Sequence, residues 1–468
     1  MAYRFSNAAT SISVVSSAFN KYAIPLVLMR KYFMIGAVFI TIIVLFSSYL
    51  FPANPPLYHN SQEVSAGHSR TWKTPLKLYD KPSPYKDAYS INFTLGSPPQ
   101  PFTAIVDIST TGFTVPSSRC RKACPHGPKY DSSASWSYRG RDGTRQTQSP
   151  SLSTGLIEGI DILTVAGGLQ VSSQPFTEQD DYSPPYDESY RRSKRASRPA
   201  PLIPWQLLNT HIKFGLAIHE PWAWLSVKAS HPPVQFIEWD HSPFRMMIEE
   251  GVLDKNIFSL KFPQNEKDEG HLIFGGYDST AFEGDLVSHP IFPPSTPHWS
   301  VEASSLSMIT TDISGNPRVL MNKSLTGYQA ILQTLHSPLS FPDPLFTHII
   351  ASLNVTKGIC QERVVDCDNL DNFPVITIGI RDQKISLTGR DYIRRIRGPS
   401  YCKEPGLIEC VPSIQLRFIP NSRVDPLPWP EAGAKDFFYL GLTFLESVYT
   451  VIDNDERTIS LELSGRES

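Results

Sequence analysis

No surplus of either charge marks this chain. Its 43 Lys and Arg against 45 Asp and Glu leave a formal net charge of -2, so nothing electrostatic points to a nucleic-acid partner. Glycine is scarce beside proline, 27 residues against 41, a balance that disfavours long helices and points to a loop-rich β protein. Cysteine is limited to six residues, and no CxxC pair occurs among them, so zinc-site spacing is missing. No metal or other cofactor is expected. What is present is bulk: 468 residues, 40% hydrophobic and 11% aromatic, suffice for one large bilobal domain or two to three ordinary ones.

One stretch lacks charge altogether. Residues 32–51 (YFMIGAVFITIIVLFSSYLF) are 20 consecutive uncharged residues, long enough to cross a bilayer. Arg4, Lys21, Arg30 and Lys31 precede it, and no Lys or Arg follows until Arg70. The positive-inside bias therefore predicts a type II signal anchor: a cytosolic tail over 1–31, a span over 32–51 and everything later lumenal or extracellular. A cleaved signal peptide is the rival reading, because small residues such as Ser47, Ser48 and Ala53 follow the apolar core; the protein would then be secreted. The even number of cysteines, Cys120, Cys124, Cys360, Cys367, Cys402 and Cys410, suits such an oxidising compartment as three disulfides. So do three N-glycosylation triplets, at Asn92, Asn322 and Asn354.

The most informative stretch spans residues 89–120. Apolar and polar residues alternate on both sides of Gly96-Ser97-Pro98-Pro99, which predicts a hairpin whose return strand ends at Asp107. A carboxylate at the end of an apolar strand is a costly placement unless nearby donors satisfy it. Leu95-Gly96-Ser97-Pro98-Pro99-Gln100, Asp107, Thr110 and Val115-Pro116-Ser117-Ser118 closely resemble the pepsin-like aspartic peptidases. Their signature is Asp-Thr-Gly-Ser followed by an apolar run and Val-Pro-Ser. Ile108 and Ser109 stand where that family has Thr and Gly. The resemblance implies a short disulfide clip between Cys120 and Cys124; the pairing of the other four cysteines stays open.

Further along, Gly155-Leu156-Ile157-Glu158-Gly159-Ile160-Asp161 resembles the strand after the family's flap hairpin. The flap tyrosine position falls near Gln148, with Tyr138 too far upstream unless the loop is rearranged. A proline-rich, charged insertion covers 178–204 and holds Arg191-Arg192-Ser193-Lys194-Arg195, which is either a processing site or a solvated charge run. Phe214-Gly215-Leu216-Ala217, Gly275-Gly276-Tyr277-Asp278 and Trp299 then follow in the family's order.

The second catalytic aspartate should end an apolar strand near residue 333. The register Tyr328-Gln329-Ala330-Ile331-Leu332 leads instead to Gln333, with Leu335 in place of glycine and His336 in place of a hydroxyl. An amphipathic helix is expected just beyond, opened by Asp343 and Pro344. In this family two carboxylates share one proton, so that one activates water while the other donates to the peptide carbonyl. A glutamine can do neither. Leu335 is expected to obstruct the close approach of the two loops, and His336 to be a polar rim residue. Asp312 precedes Asn316-Pro317 and reads as a hairpin turn.

The expected fold is all-β and mostly antiparallel, a bilobal pepsin-like double barrel with a few short helices and a cleft between the lobes. A linker or pro-like segment is placed at 52–84, the first lobe at 85–280 and the second at 281–468. The expected activity is that of a membrane-anchored, monomeric, non-catalytic homologue that binds a polypeptide in the cleft. The alternative is an active endopeptidase using Asp107 and an unrecognised partner group.

Overall fold

The computed structural model describes residues 70–79, 88–121, 124, 127–140, 156–180, 212–217, 242–265, 268–312, 314–361, 363–398, 402–417 and 434–465. The expected tail, membrane span, Gln148, Arg191–195 motif and most of the insertion lie outside these residues. Residues 1–68 and 69–468 form separate units, and only the second contains described residues. Among the described residues no helix is long and apolar enough to cross a membrane.

The early hairpin pairs Tyr89–Leu95 with Gln100–Asp107 in the register Ser90↔Ile105 to Leu95↔Gln100. Gly96 turns at φ 88°, the left-handed region glycine tolerates. Alternation along these strands sends Ile91, Phe93 and Leu95 inward against Phe102, Ala104 and Val106, while Asn92 faces solvent. Leu156–Val165 and Leu169–Gln179 extend the same sheet as a long antiparallel hairpin. Lys213–Gly215 joins the other side of Gln100–Asp107 in parallel.

The second lobe repeats this plan. Its seven-stranded sheet runs Gln383–Leu387, Val375–Ile380, Ser300–Thr311, Pro317–Leu332, Asp436–Leu440, Leu339–Phe341 and Ile414–Leu416. Here Pro317–Leu332 pairs in parallel with Asp436–Leu440, as Gln100–Asp107 does with Lys213–Gly215. Asp312 sits exposed in the hairpin turn between Thr311 and Pro317, accepting hydrogen bonds from the amides of Ser314 and Asn316.

A layer of antiparallel strands joins the halves: Val287–Pro290, Thr458–Leu463, Val448–Asp453, Ile257–Lys261, Gly270–Phe274 and Trp72–Leu78. The chain's last strands therefore pair with strands from its middle. The segment 52–84 contains a strand, Trp72–Leu78, lodged between Gly270–Phe274 and Tyr89–Leu95. The second lobe's closing residues belong to the shared layer rather than to that lobe alone.

The helices are short. Pro243–Glu249 is capped by the Ser242 hydroxyl, which accepts from the Arg245 amide at 3.1 Å, with Pro243 in the first turn. Leu345–Ser352 follows Asp343 and Pro344, and the Asp343 carboxylate accepts from the Thr347 hydroxyl at 2.6 Å rather than from a backbone amide of the first turn. Disulfides Cys120–Cys124, Cys360–Cys402 and Cys367–Cys410 settle the pairing the sequence left open.

Candidate functional site

Asp107 ends its strand fully buried. Three donors from its own loop meet its carboxylate and offset the desolvation. The Ser109 amide and hydroxyl donate to Oδ1 at 2.8 and 2.5 Å, and the Thr110 hydroxyl donates to Oδ2 at 2.7 Å. Ser109, read from sequence as a substitute for glycine, thus contributes a donor that glycine lacks.

The second loop meets the first through one hydroxyl. Thr334 Oγ1 donates to the Val106 carbonyl at 2.9 Å and accepts from the Ile108 amide at 3.2 Å, bracketing Asp107. The bond is not reciprocated: Ile108 has no hydroxyl and is buried in the core. Leu335 packs against Tyr79, Ala88 and Ile105 of the first half. This corrects the expected obstruction; the side chain fills a seam beside the contact instead of blocking it.

Glycines show how the two loops correspond. A Cβ on Gly215 would lie 2.5 Å from the Thr110 carbonyl oxygen and 3.1 Å from that of Gly112. A Cβ on Gly441 would lie 2.2 Å from the His336 carbonyl oxygen and 2.5 Å from that of Pro338. Thr110 and His336 therefore occupy matching places, and counting back three residues matches Asp107 with Gln333. The Gln333 amide donates to the Leu440 carbonyl at 3.0 Å, while its half-buried side chain makes no hydrogen bond with the described residues.

His336 is not the polar rim residue expected. Its Nε2 lies 2.7 Å from Ser340 Oγ and 2.5 Å from Gln415 Nε2, and its ring faces Tyr439 edge-on. Burial lowers its pKa to about 4, so the ring is neutral at pH 7, with Nε2 engaged inside the second lobe.

Sequence reasoning discounted Tyr138. Arg139–Gly140 pairs with Gly159 and Ile160, which puts Tyr138 at the base of the long hairpin. Its ring lies against Gly159, where a Cβ would come within 2.4 Å. Burial, and then the neighbouring Glu178 carboxylate, push the phenol's pKa up. Glu178 is fully buried, accepting from Ser117 Oγ at 2.7 Å and from Arg119 Nη2 at 3.0 Å. Residues 141–155, with the expected flap position near Gln148, lie outside the described residues. Nearby, buried Asp161 accepts from Ser135, Ser137 and Tyr130, fixing the hairpin to the preceding turn. Among the described residues no group of three or more His, Cys, Asp or Glu could hold a metal ion.

Two lobes, each ending a buried strand in a loop that meets its counterpart, define the architecture of an aspartic peptidase. Residues 88–186 and 229–463 match the family described as eukaryotic aspartyl protease, and the chain belongs to that family. It is 26% identical to the vacuolar aspartic protease of Candida albicans, over 88% of this chain and 84% of that protein. It is 25% identical to napsin-A of Homo sapiens, over 83% and 82% of the two chains. It is also 24% identical to gastricsin of Callithrix jacchus, over 81% and 82%.

Proposed function

We propose that this protein is a lumenal, monomeric member of the family that has lost peptide-bond hydrolysis and uses its cleft to hold a polypeptide. Gln333, standing where a second aspartate would face Asp107, carries the reading. A carboxamide does not ionise near neutral or acid pH, so the reversible acid–base pair that activates water is missing. General acid–base assistance is worth about 10²–10⁴ in rate. Asp107 then serves its own loop, as acceptor for Ser109 and Thr110.

Residues 32–51 anchor the chain, with the N-terminus cytosolic. The charge asymmetry around that stretch supports this. Three disulfides agree with a lumenal setting for the folded part.

The test uses the full chain, purified in detergent, with a mixed peptide library from pH 3 to 7. No cleavage is expected from the wild type, together with saturable retention of a subset of peptides. Cleavage abolished by Asp107→Asn overturns the proposal in favour of an active endopeptidase, the activity named in its relatives. Gln333→Asp is expected to be the minimum change that restores hydrolysis.

A further inference from the structure

We infer that Asn322 carries an N-linked glycan that lies across the outer face of the second-lobe sheet; the inference rests on the lumenal reading above. Two polar cross-strand rows on that face hold the triplet. One runs Asn322, Ser307, Thr377, Ser386, and the next runs Ser324, Ser305, Gly379, Lys384. Asn322 and Ser324, the first and last residues of the triplet, project from the same face and are both exposed. Residues two apart on a strand share a face, so acceptor amide and recognition hydroxyl are presented together.

Among the described residues this part of Pro317–Leu332 is also a sheet edge, because its pairing with Asp436–Leu440 begins only at Tyr328. The Asn322 side chain makes no hydrogen bond with the described residues, whereas the Asn92 carbonyl accepts from Thr103 at 2.9 Å. Behind the face the inward residues Leu306, Met308, Ile376, Ile378, Ile385 and Leu387 are buried core. In front, these two rows carry only Ser, Thr, Gly, Asn and one Lys, and the row beyond Asn322 carries the exposed apolar Val319 and Ile309. The small hydroxyl residues of these rows leave room for a hydrated sugar, which would also screen the neighbouring Val319 and Ile309 from water. Four strands at about 4.8 Å spacing put Ser386 roughly 14 Å from Asn322, within reach of an oligosaccharide.

In the transfer, the Asn322 carboxamide nitrogen attacks the anomeric carbon of a lipid-pyrophosphate-linked oligosaccharide. A C–N bond forms, the C–O bond to the pyrophosphate breaks, the lipid pyrophosphate leaves and the amide gives up one proton. The carbonyl oxygen is untouched.

The full chain, isolated from eukaryotic membranes, is digested and its glycopeptides are assigned by mass spectrometry before and after amidase deglycosylation. Glycan on Asn322 is expected in the wild type and in Ser324→Thr, and its loss in Asn322→Gln and Ser324→Ala. A second sequon, introduced by Asp285→Asn with Val287→Thr at two exposed positions, serves as the topology control. Glycan on the control without glycan on Asn322 overturns this inference alone. Its absence from both sites overturns the lumenal reading as well. Lysine acylation tests the covering: Lys384 labelling should rise at least threefold in Asn322→Gln, and unchanged labelling refutes a glycan lying over that face.

Discussion

Removing the Thr334 hydroxyl tests the contact on which the meeting of the two loops depends. Thr334→Val keeps the shape of the side chain and deletes both hydrogen bonds, to the Val106 carbonyl and from the Ile108 amide. All three residues are buried, so water does not readily replace the lost partner. Leaving a buried polar group unsatisfied costs about 1–3 kcal/mol, and two such groups bring the expected loss to about 2–6 kcal/mol. Thr334→Ser retains the hydroxyl and loses one methyl, at about 1 kcal/mol. Urea unfolding of the two variants beside the wild type measures both. Amide hydrogen exchange gives the local readout: the Ile108 N–H should exchange at least tenfold faster in Thr334→Val, since about 1.4 kcal/mol corresponds to tenfold. A Thr334→Val protein as stable as the wild type, with Ile108 exchange unchanged, would refute the claim that this hydroxyl joins the loops.

Other expectations follow from the same geometry. Gly441→Ala should cost more than about 3 kcal/mol or prevent folding, because its Cβ would meet three backbone oxygens at 2.2–2.6 Å; circular dichroism of a well-folded variant would contradict this. Arg119→Ala should destabilise by about 2 kcal/mol by leaving the buried Glu178 carboxylate with only neutral donors, the figure being reduced because Arg119 is half exposed. Glu178→Gln should cost less, and the reverse order in chemical denaturation would count against a buried-anion account. His271, His298 and His336 each have pKa values lowered to about 4, chiefly by burial, from an ordinary 6.5. The unfolded chain therefore takes up protons first: stability is full above about pH 6.5 and falls as pH drops towards 4. Each histidine contributes up to about 1.4 kcal/mol per pH unit in that window, so equal stability at pH 7 and pH 5 would refute the reading.

Much of the fold was legible because its signals are local. Alternation in 89–107, the Gly96 turn and the Ser242-Pro243 helix start each act over a few residues. The apolar strand ending at Asp107 was legible too, since the burial of Ile105 and Val106 is written in their side chains. The packing of Tyr138 against Gly159 was not legible, because it depends on the pairing of Arg139–Gly140 with a strand later in the chain. Leu335 was misjudged because its role depends on Tyr79, Ala88 and Ile105, residues far earlier in the chain. His336 looked like a rim residue until Ser340 and Gln415 closed around its ring.

By itself the sequence determined the family and the identity of the groups available to the site: one aspartate, a glutamine and a set of hydroxyls. Composition and order cannot be changed by folding, so a missing carboxylate is missing at any level of description. Only the tertiary structure decided how those groups are used. It gave both Asp107 oxygens donors from their own loop, made Thr334 the hydroxyl joining the loops, and lodged Trp72–Leu78 inside a sheet, within a segment read from sequence as a linker or pro-like stretch. Each of these depends on the direction and reach of a hydrogen bond or on a shared sheet edge, and those exist only once distant segments have packed.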